Sequence, residues 1–173
     1  RARSPQPSGL VSTTSMAALA AAWACPAWAL FGSEELDKEK LVVTFYNEVT
    51  RGGYKVVDTA TLKSWVDEKK PMLLLDTMPY EDSFKKQHVP GAKQMEFPIP
   101  EMTALDAAKQ AEFEKLLGPD KDALIVIYCG FPKCTRSHNG AMWAVKLGYK
   151  NVYRYPGGIK AWMESDLPVG KVE

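Results

Sequence analysis

The chain has 173 residues, 46% of them apolar, and a formal net charge of +1 from 22 basic and 21 acidic side chains. That composition supplies one core of ordinary domain size, roughly 100–150 residues, plus an N-terminal extension. The near balance of charge excludes a basic stripe for nucleic acid and an acidic tail for a basic partner, and points to a small molecule or a protein thiol as substrate.

The first 33 residues hold no Asp or Glu. They open Arg1-Ala2-Arg3, run through an apolar stretch from Met16, and reach a small-x-small site at Ala27-Trp28-Ala29. This pattern predicts a signal or targeting peptide over residues 1–29 and export to the periplasm. A lipid anchor through Cys25 and an organellar transit peptide are the alternatives. Pro26 breaks the apolar run, so the mature form is not expected to span a membrane. Residues 30–53 then form an extension with an amphipathic helix, and residues 54–173 the main domain. Removal of the leader after Ala29 leaves Cys129 and Cys134, which in an oxidising compartment can be a disulfide or a redox couple.

Along the chain, Glu34 to Arg51 reads as a helix with Leu36, Leu41, Val42, Phe45, Tyr46 and Val49 facing inward, stopped by Gly52-Gly53. Tyr54–Val57 reads as a short strand. Asp58, Thr59 or Thr61 caps a helix carrying Leu62, Trp65 and Val66 that ends before Pro71. Met72–Leu75 is a continuous apolar run closed by Asp76, the mark of a strand buried on both faces. Tyr80–Lys86 suggests a short helix, His88–Ala92 a turn, and Gln94–Phe97 a brief strand. Ala107–Leu117 is helical, with Phe113, Leu116 and Leu117 inward. Ala123–Tyr128 is the strongest strand. Ser137–Leu147 is a helix stopped by Gly148, Val152–Tyr155 a strand, and Gly158–Glu164 a last helix. Strands alternating with helices at these lengths imply a parallel sheet covered on both faces, with ligands beyond the carboxyl ends of the strands.

The segment in that position is Tyr128-Cys129-Gly130-Phe131-Pro132-Lys133-Cys134-Thr135-Arg136-Ser137. A strand delivers Cys129, a loop follows, and a helix begins near Ser137. The layout aims backbone N–H groups and the positive end of a helix at one point, which is expected to stabilise a Cys129 thiolate or an anion bound to its sulfur. Lys133 and Arg136 add positive charge, and Gly130 permits tight curvature. The bland alternative is a buried structural cysteine.

These pieces together resemble a rhodanese-type sulfurtransferase domain from about Val56 to Val169. The matching segments are Leu73–Asp76, His88–Ala92, Ile125–Cys129 with Arg136-Ser137, and Leu147–Val152 through Gly157–Trp162 to Leu167-Pro168. The resemblance implies an α/β fold: an open five-stranded parallel sheet flanked by helices on both faces. It also implies that Cys129 accepts a sulfane sulfur as a persulfide and passes it to a thiol or another nucleophile, with no cofactor. Lys133 or Arg136 would then receive a departing sulfite. The chain departs from common single-domain members in two places. Their Arg stands five residues after the cysteine, whereas Arg136 stands seven after Cys129, and Met78 occupies a position where members often carry Arg. The longer loop is similar to a subgroup with the pattern C-x-x-x-x-C-x-x-S, here Cys129, Cys134 and Ser137, and predicts room for a donor bulkier than thiosulfate.

Cys134 is a candidate resolving thiol, since a curled loop can bring its ends within disulfide range. Asp76 and His138 are candidates for a supporting shell around the loop residues Gly130, Phe131, Pro132, Lys133, Thr135, Arg136 and Ser137. His88 is expected to make a structural hydrogen bond, Trp65 and Trp162 to lie in the core, and the scattered histidines and cysteines not to form a metal site. Competing readings are a thiol-disulfide or peroxide sensor cycling both cysteines, a non-catalytic binding module, and a cysteine phosphatase. The last is disfavoured because Thr135 stands where a phosphatase needs Arg.

Overall fold

A computed structural model of the chain describes residues 34–172. The leader read at residues 1–29, with Cys25, lies outside the described residues. Five strands, β1 (Lys55–Val56), β2 (Leu73–Asp76), β3 (Lys93–Gln94), β4 (Ile125–Tyr128) and β5 (Val152–Tyr155), form an all-parallel sheet in the order β1-β5-β4-β2-β3. The helices are α1 (Glu35–Gly52), α2 (Thr59–Asp67), α3 (Ala107–Leu117), α4 (Arg136–Lys146) and α5 (Gly158–Glu164). No helix among the described residues is long and apolar enough to cross a membrane.

Alternation along the strands divides the core into two layers. Leu75, Ile125, Ile127 and Val152 point to the face covered by α3 and α4 through Phe113, Leu117, Ala141 and Ala144, where Val49 of α1 also packs. Leu74, Val126, Tyr128 and Tyr155 point to the other face, covered by Leu62 of α2 and by Ile159 and Trp162 of α5. Trp162 is buried there and its indole N–H donates to the Pro168 carbonyl at 2.8 Å. Trp65 packs edge-on against Tyr153.

Asp58 is the residue that caps α2, its carboxylate accepting from the Thr61 N–H at 2.7 Å. Asp106 caps α3 in the same way, accepting from Lys109 N–H at 2.9 Å.

Three expectations need correction. The inward face of α1 is Leu41, Phe45, Glu48, Val49 and Gly52, whereas Leu36, Val42 and Tyr46 are exposed. The buried stripe is narrower than the apolar spacing suggested, because a charged residue, Glu48, occupies a place in it. The strand read at Gln94–Phe97 is the two-residue β3 at the sheet edge, where pairing stops and Phe97 turns into the core. The helix read at Tyr80–Lys86 is one π-type turn, Tyr80–Phe84.

Candidate active site

The carboxyl ends of β2, β4 and β5 are level: Asp76 pairs with Tyr128, and Tyr128 with Tyr155. Cys129 therefore leaves the centre of the sheet at the point where the chain order reverses and ligands bind in such folds. The loop after it is fixed from below. The backbone N–H groups of Ile159 and Lys160, in the first turn of α5, donate to the carbonyls of Cys129 and Gly130, each at 3.0 Å. Gly158 sits at φ +61, and a Cβ there would stand 2.2 Å from the Cys129 carbonyl oxygen. Glycine is required on both counts. Thr77 holds the Tyr128 carbonyl through its N–H at 2.9 Å and its hydroxyl at 2.8 Å.

The loop itself curls back, with Cys134 N–H donating to the Phe131 carbonyl at 3.0 Å. Phe131 is exposed, and Pro132, Lys133 and Thr135 line a cavity of about 290 Å³ against Lys40, Thr44 and Glu48 of α1. Cys129 lies beneath the loop, only 1% exposed, with Cys134 beside it.

This curl reverses the expected electrostatics. The Cys129 sulfur lies 3.2 Å from the Cys134 carbonyl oxygen, 3.7 Å from that of Phe131 and 3.1 Å from the Ser137 hydroxyl. Carbonyl oxygens are acceptors, so this environment suits an S–H. Burial, and then the hydrogen bond shared with the Cys134 thiol, push the Cys129 pKa well above the ordinary thiol value. The backbone N–H groups expected around Cys129 are divided between the sulfurs: that of Ser137 bears on Cys129, and those of Arg136 and Gly130 on Cys134. The Cys129 S–H, the backbone N–H groups of Arg136 and Gly130 and the Arg136 charge together bring Cys134 down to about 6, against burial. Of the two thiols, which share a hydrogen bond, Cys134 is thereby the more acidic.

Arg136 contributes that charge from a fixed position. It donates to the carboxylate of Glu96 at 2.9 Å and to the Phe97 carbonyl, so it ties α4 to the segment after β3 and does not project toward a substrate. Lys133 lies on the loop tip, beside Lys40 and Glu48 of α1. Asn139 extends the same clamp, accepting from Met102 N–H at 2.9 Å and donating to the carbonyls of Pro98 and Pro100.

Asp76 lies at the loop's edge, fully buried. One carboxylate oxygen accepts from Met78 N–H at 2.8 Å, and the other has no partner among the described residues. Burial raises its pKa to about 6, opposed by the Met78 hydrogen bond. His138 is fully buried in the first turn of α4, its Nδ1 2.9 Å from the Tyr54 hydroxyl and its Nε2 3.6 Å from Glu101. Burial lowers its pKa, opposed by Glu48 and Glu101. His88 bonds the Phe84 carbonyl through Nδ1 at 2.8 Å and stacks on the Phe84 ring, away from the loop.

Two site residues escaped sequence reasoning. Arg154, in the middle of β5, is 0% exposed, and it pairs with Glu48 of α1 at 2.5 Å. The available signal was an arginine inside a four-residue strand flanked by two tyrosines. Burial disfavours its charge, but Tyr54 and Glu48 outweigh that and hold the guanidinium above its usual value.

The sequence profile of the Rhodanese-like domain family matches residues 58–165. The chain belongs to the rhodanese-like sulfurtransferase domain family. It is 30% identical over 97 residues to Thiosulfate sulfurtransferase 18 of Arabidopsis thaliana, covering 54% of this chain and 68% of that protein. Two solved structures share the fold at low identity. The polysulfide-sulfur transferase homodimer of Wolinella succinogenes matches with a TM-score of 0.55 at 15% identity, over 81% of this chain and 93% of that one. The thiosulfate sulfurtransferase of Pseudomonas aeruginosa matches with a TM-score of 0.56 at 16% identity, over 75% of this chain and 23% of that one. The five-stranded parallel sheet flanked by helices is thus the rhodanese-like fold.

Proposed function

We propose that this chain transfers a sulfane sulfur from a donor such as thiosulfate or a small persulfide to a thiol, through a persulfide on Cys129. The observation that carries the reading is Cys129 itself, delivered by the central strand β4 to the carboxyl end of the parallel sheet, with the Ser137 hydroxyl 3.1 Å from its sulfur and Cys134 in the same loop. Membership of a sulfurtransferase family, and the names of the relatives, support it.

The chemistry is redox-neutral. Cys134 takes the Cys129 proton, and the Cys129 sulfur attacks the outer sulfur of the donor. The donor's S–S bond breaks, its electron pair leaves on sulfite or on a thiolate, and Cys129 retains the extra sulfur. An acceptor thiolate then attacks that sulfur, and Cys129 departs as thiolate and recovers its proton from Cys134. Lys133 supplies positive charge for the anionic leaving group. Because Cys129 is 1% exposed, donor access requires the Phe131–Lys133 tip to move aside.

Mass spectrometry of the full chain after incubation with thiosulfate, and separately with a small organic persulfide, tests the proposal. One added sulfur, about 32 Da, is expected on the peptide containing Cys129 and is lost in Cys129→Ser. Absence of the adduct with both donors overturns the reading.

A further inference from the structure

Arg154 is a costly residue in its position. Taking a guanidinium out of water is costly unless its pairing is good, and a well-packed apolar side chain would often be more stabilising. The way its hydrogen bonds are distributed suggests what it does. A guanidinium carries five N–H donors, and Arg154 meets five acceptors. Nε donates to the Ser137 hydroxyl at 2.9 Å. Nη1 donates to Glu48 at 2.5 Å and to the Tyr54 hydroxyl at 3.1 Å. Nη2 donates to the carbonyls of Cys134 at 3.1 Å and Pro132 at 3.3 Å. Three of these acceptors belong to the reactive loop and its junction with α4. The Phe45 ring of α1 lies under the guanidinium, 4.9 Å from centroid to Cζ.

The polarity of these bonds is fixed by chemistry. Nε can only donate, so the Ser137 oxygen accepts there, and the remaining polar partner for its own hydrogen is the Cys129 sulfur at 3.1 Å. Arg154 also holds the Cys134 carbonyl that faces the same sulfur at 3.2 Å. Two of the polar contacts of Cys129 therefore pass directly through this guanidinium. Glu48 neutralises it and fixes its rotation. We infer that Arg154 and Glu48 are positioning residues that turn the Ser137 hydroxyl into a hydrogen-bond donor aimed at the Cys129 sulfur, and that α1 is thereby a wall of the active site. Glu48 precedes the segment matched by the family profile, residues 58–165, so this wall is an addition to the matched domain. The inference rests on Cys129 being the reacting sulfur. The other charged and titratable groups bearing on the loop are Cys134 and Lys133 within it, Arg136 of α4, Asp76 of β2, Asp37 and Lys40 of α1, and Lys160 and Glu164 of α5, with Tyr54 on the guanidinium itself.

The test is the pH dependence of Cys129 alkylation by iodoacetamide, read peptide by peptide on the full chain, with circular dichroism confirming that each variant is folded. Ser137→Ala removes the donor, and Arg154→Lys keeps the charge but loses the fork. Each is expected to raise the Cys129 midpoint by about one pH unit, and the double variant no further than the larger single one. Glu48→Gln keeps an acceptor for Arg154 but removes the neutralising charge, so its midpoint should move down. A folded Arg154→Lys with an unchanged midpoint, or single shifts that add in the double variant, overturns the inference. Should Arg154→Lys fail to fold, opposite shifts in Ser137→Ala and Glu48→Gln support it, and any other pair of results refutes it. Alkylation needs no sulfur donor, so these outcomes stay readable even if no persulfide forms.

Discussion

Cys134 is where charge and reactivity separate in this site. Its thiolate is stabilised first by the Cys129 S–H, then by two backbone N–H groups and the Arg136 charge, and its pKa falls to about 6. Cys129 is raised by burial and by the same shared proton. A thiol is alkylated, and accepts a proton, as its thiolate, so the sign is definite: below the depressed pKa Cys134 is protonated and can do neither, and above it Cys134 can take the Cys129 proton and is the more readily alkylated of the two. The rate of site-resolved alkylation against pH should reach half its maximum for Cys134 near pH 6, with Cys129 lagging into alkaline solution. Cys129→Ala removes the leading cause and should raise the Cys134 midpoint by about one unit or more, while Cys129→Ser keeps a hydroxyl donor and should hold most of the depression. If Cys129→Ala leaves Cys134 unmoved, the sulfurs do not share a proton.

At the scale of elements, the junction between the β4 loop and α5 decides whether that pair can exist. The first N–H groups of a helix have no partner within it, and α5 places two of them on the carbonyls of Cys129 and Gly130. The contact is so close that only a residue without Cβ fits at Gly158. Gly158→Ala combines a left-handed backbone with a 2.2 Å collision, and it should cost about 3 kcal/mol or more in urea unfolding. The loop must shift to relieve the collision, so Cys134 should lose its depressed midpoint as well. A variant that is destabilised but keeps that midpoint would show the loop to be held elsewhere. Much of this was legible in the sequence. The apolar runs of β2 and β4 announced strands buried on both faces, and α3, β5 and α5 have the bounds their spacing predicted. The two-residue β3 was less legible, because its length is set by where β2 stops offering partners and not by local propensity. Nor was the direction of the N–H cradle. Position placed Cys129 at the end of a strand, but how the amides are shared between the sulfurs depends on a curl closed by the Cys134 N–H on the Phe131 carbonyl.

For the whole molecule, the pairs that complete the site join residues far apart in the chain, and such pairs leave no local pattern. Glu48 read as one of several acidic residues on a charged helix. Arg154 lies inside a four-residue strand whose sequence does not name its partner. Their partnership, 106 residues apart, makes α1 part of the described domain's stability as well as of its site. Comparing residues 34–173 with residues 54–173 in urea tests this. Loss of α1 removes Glu48 and the contacts of Phe45 and Val49, and leaves Arg154 a buried charge without its carboxylate. Breaking one side of such a pair costs about 3–5 kcal/mol, so the shorter chain should unfold at markedly lower urea. The distinguishing measurement is Arg154→Met in both lengths. In the longer chain it strands Glu48 and should destabilise; in the shorter chain it removes an unpaired charge and should recover part of the loss. The same sign in both backgrounds would mean that α1 stabilises through its apolar face alone and that the ion pair is incidental to the architecture.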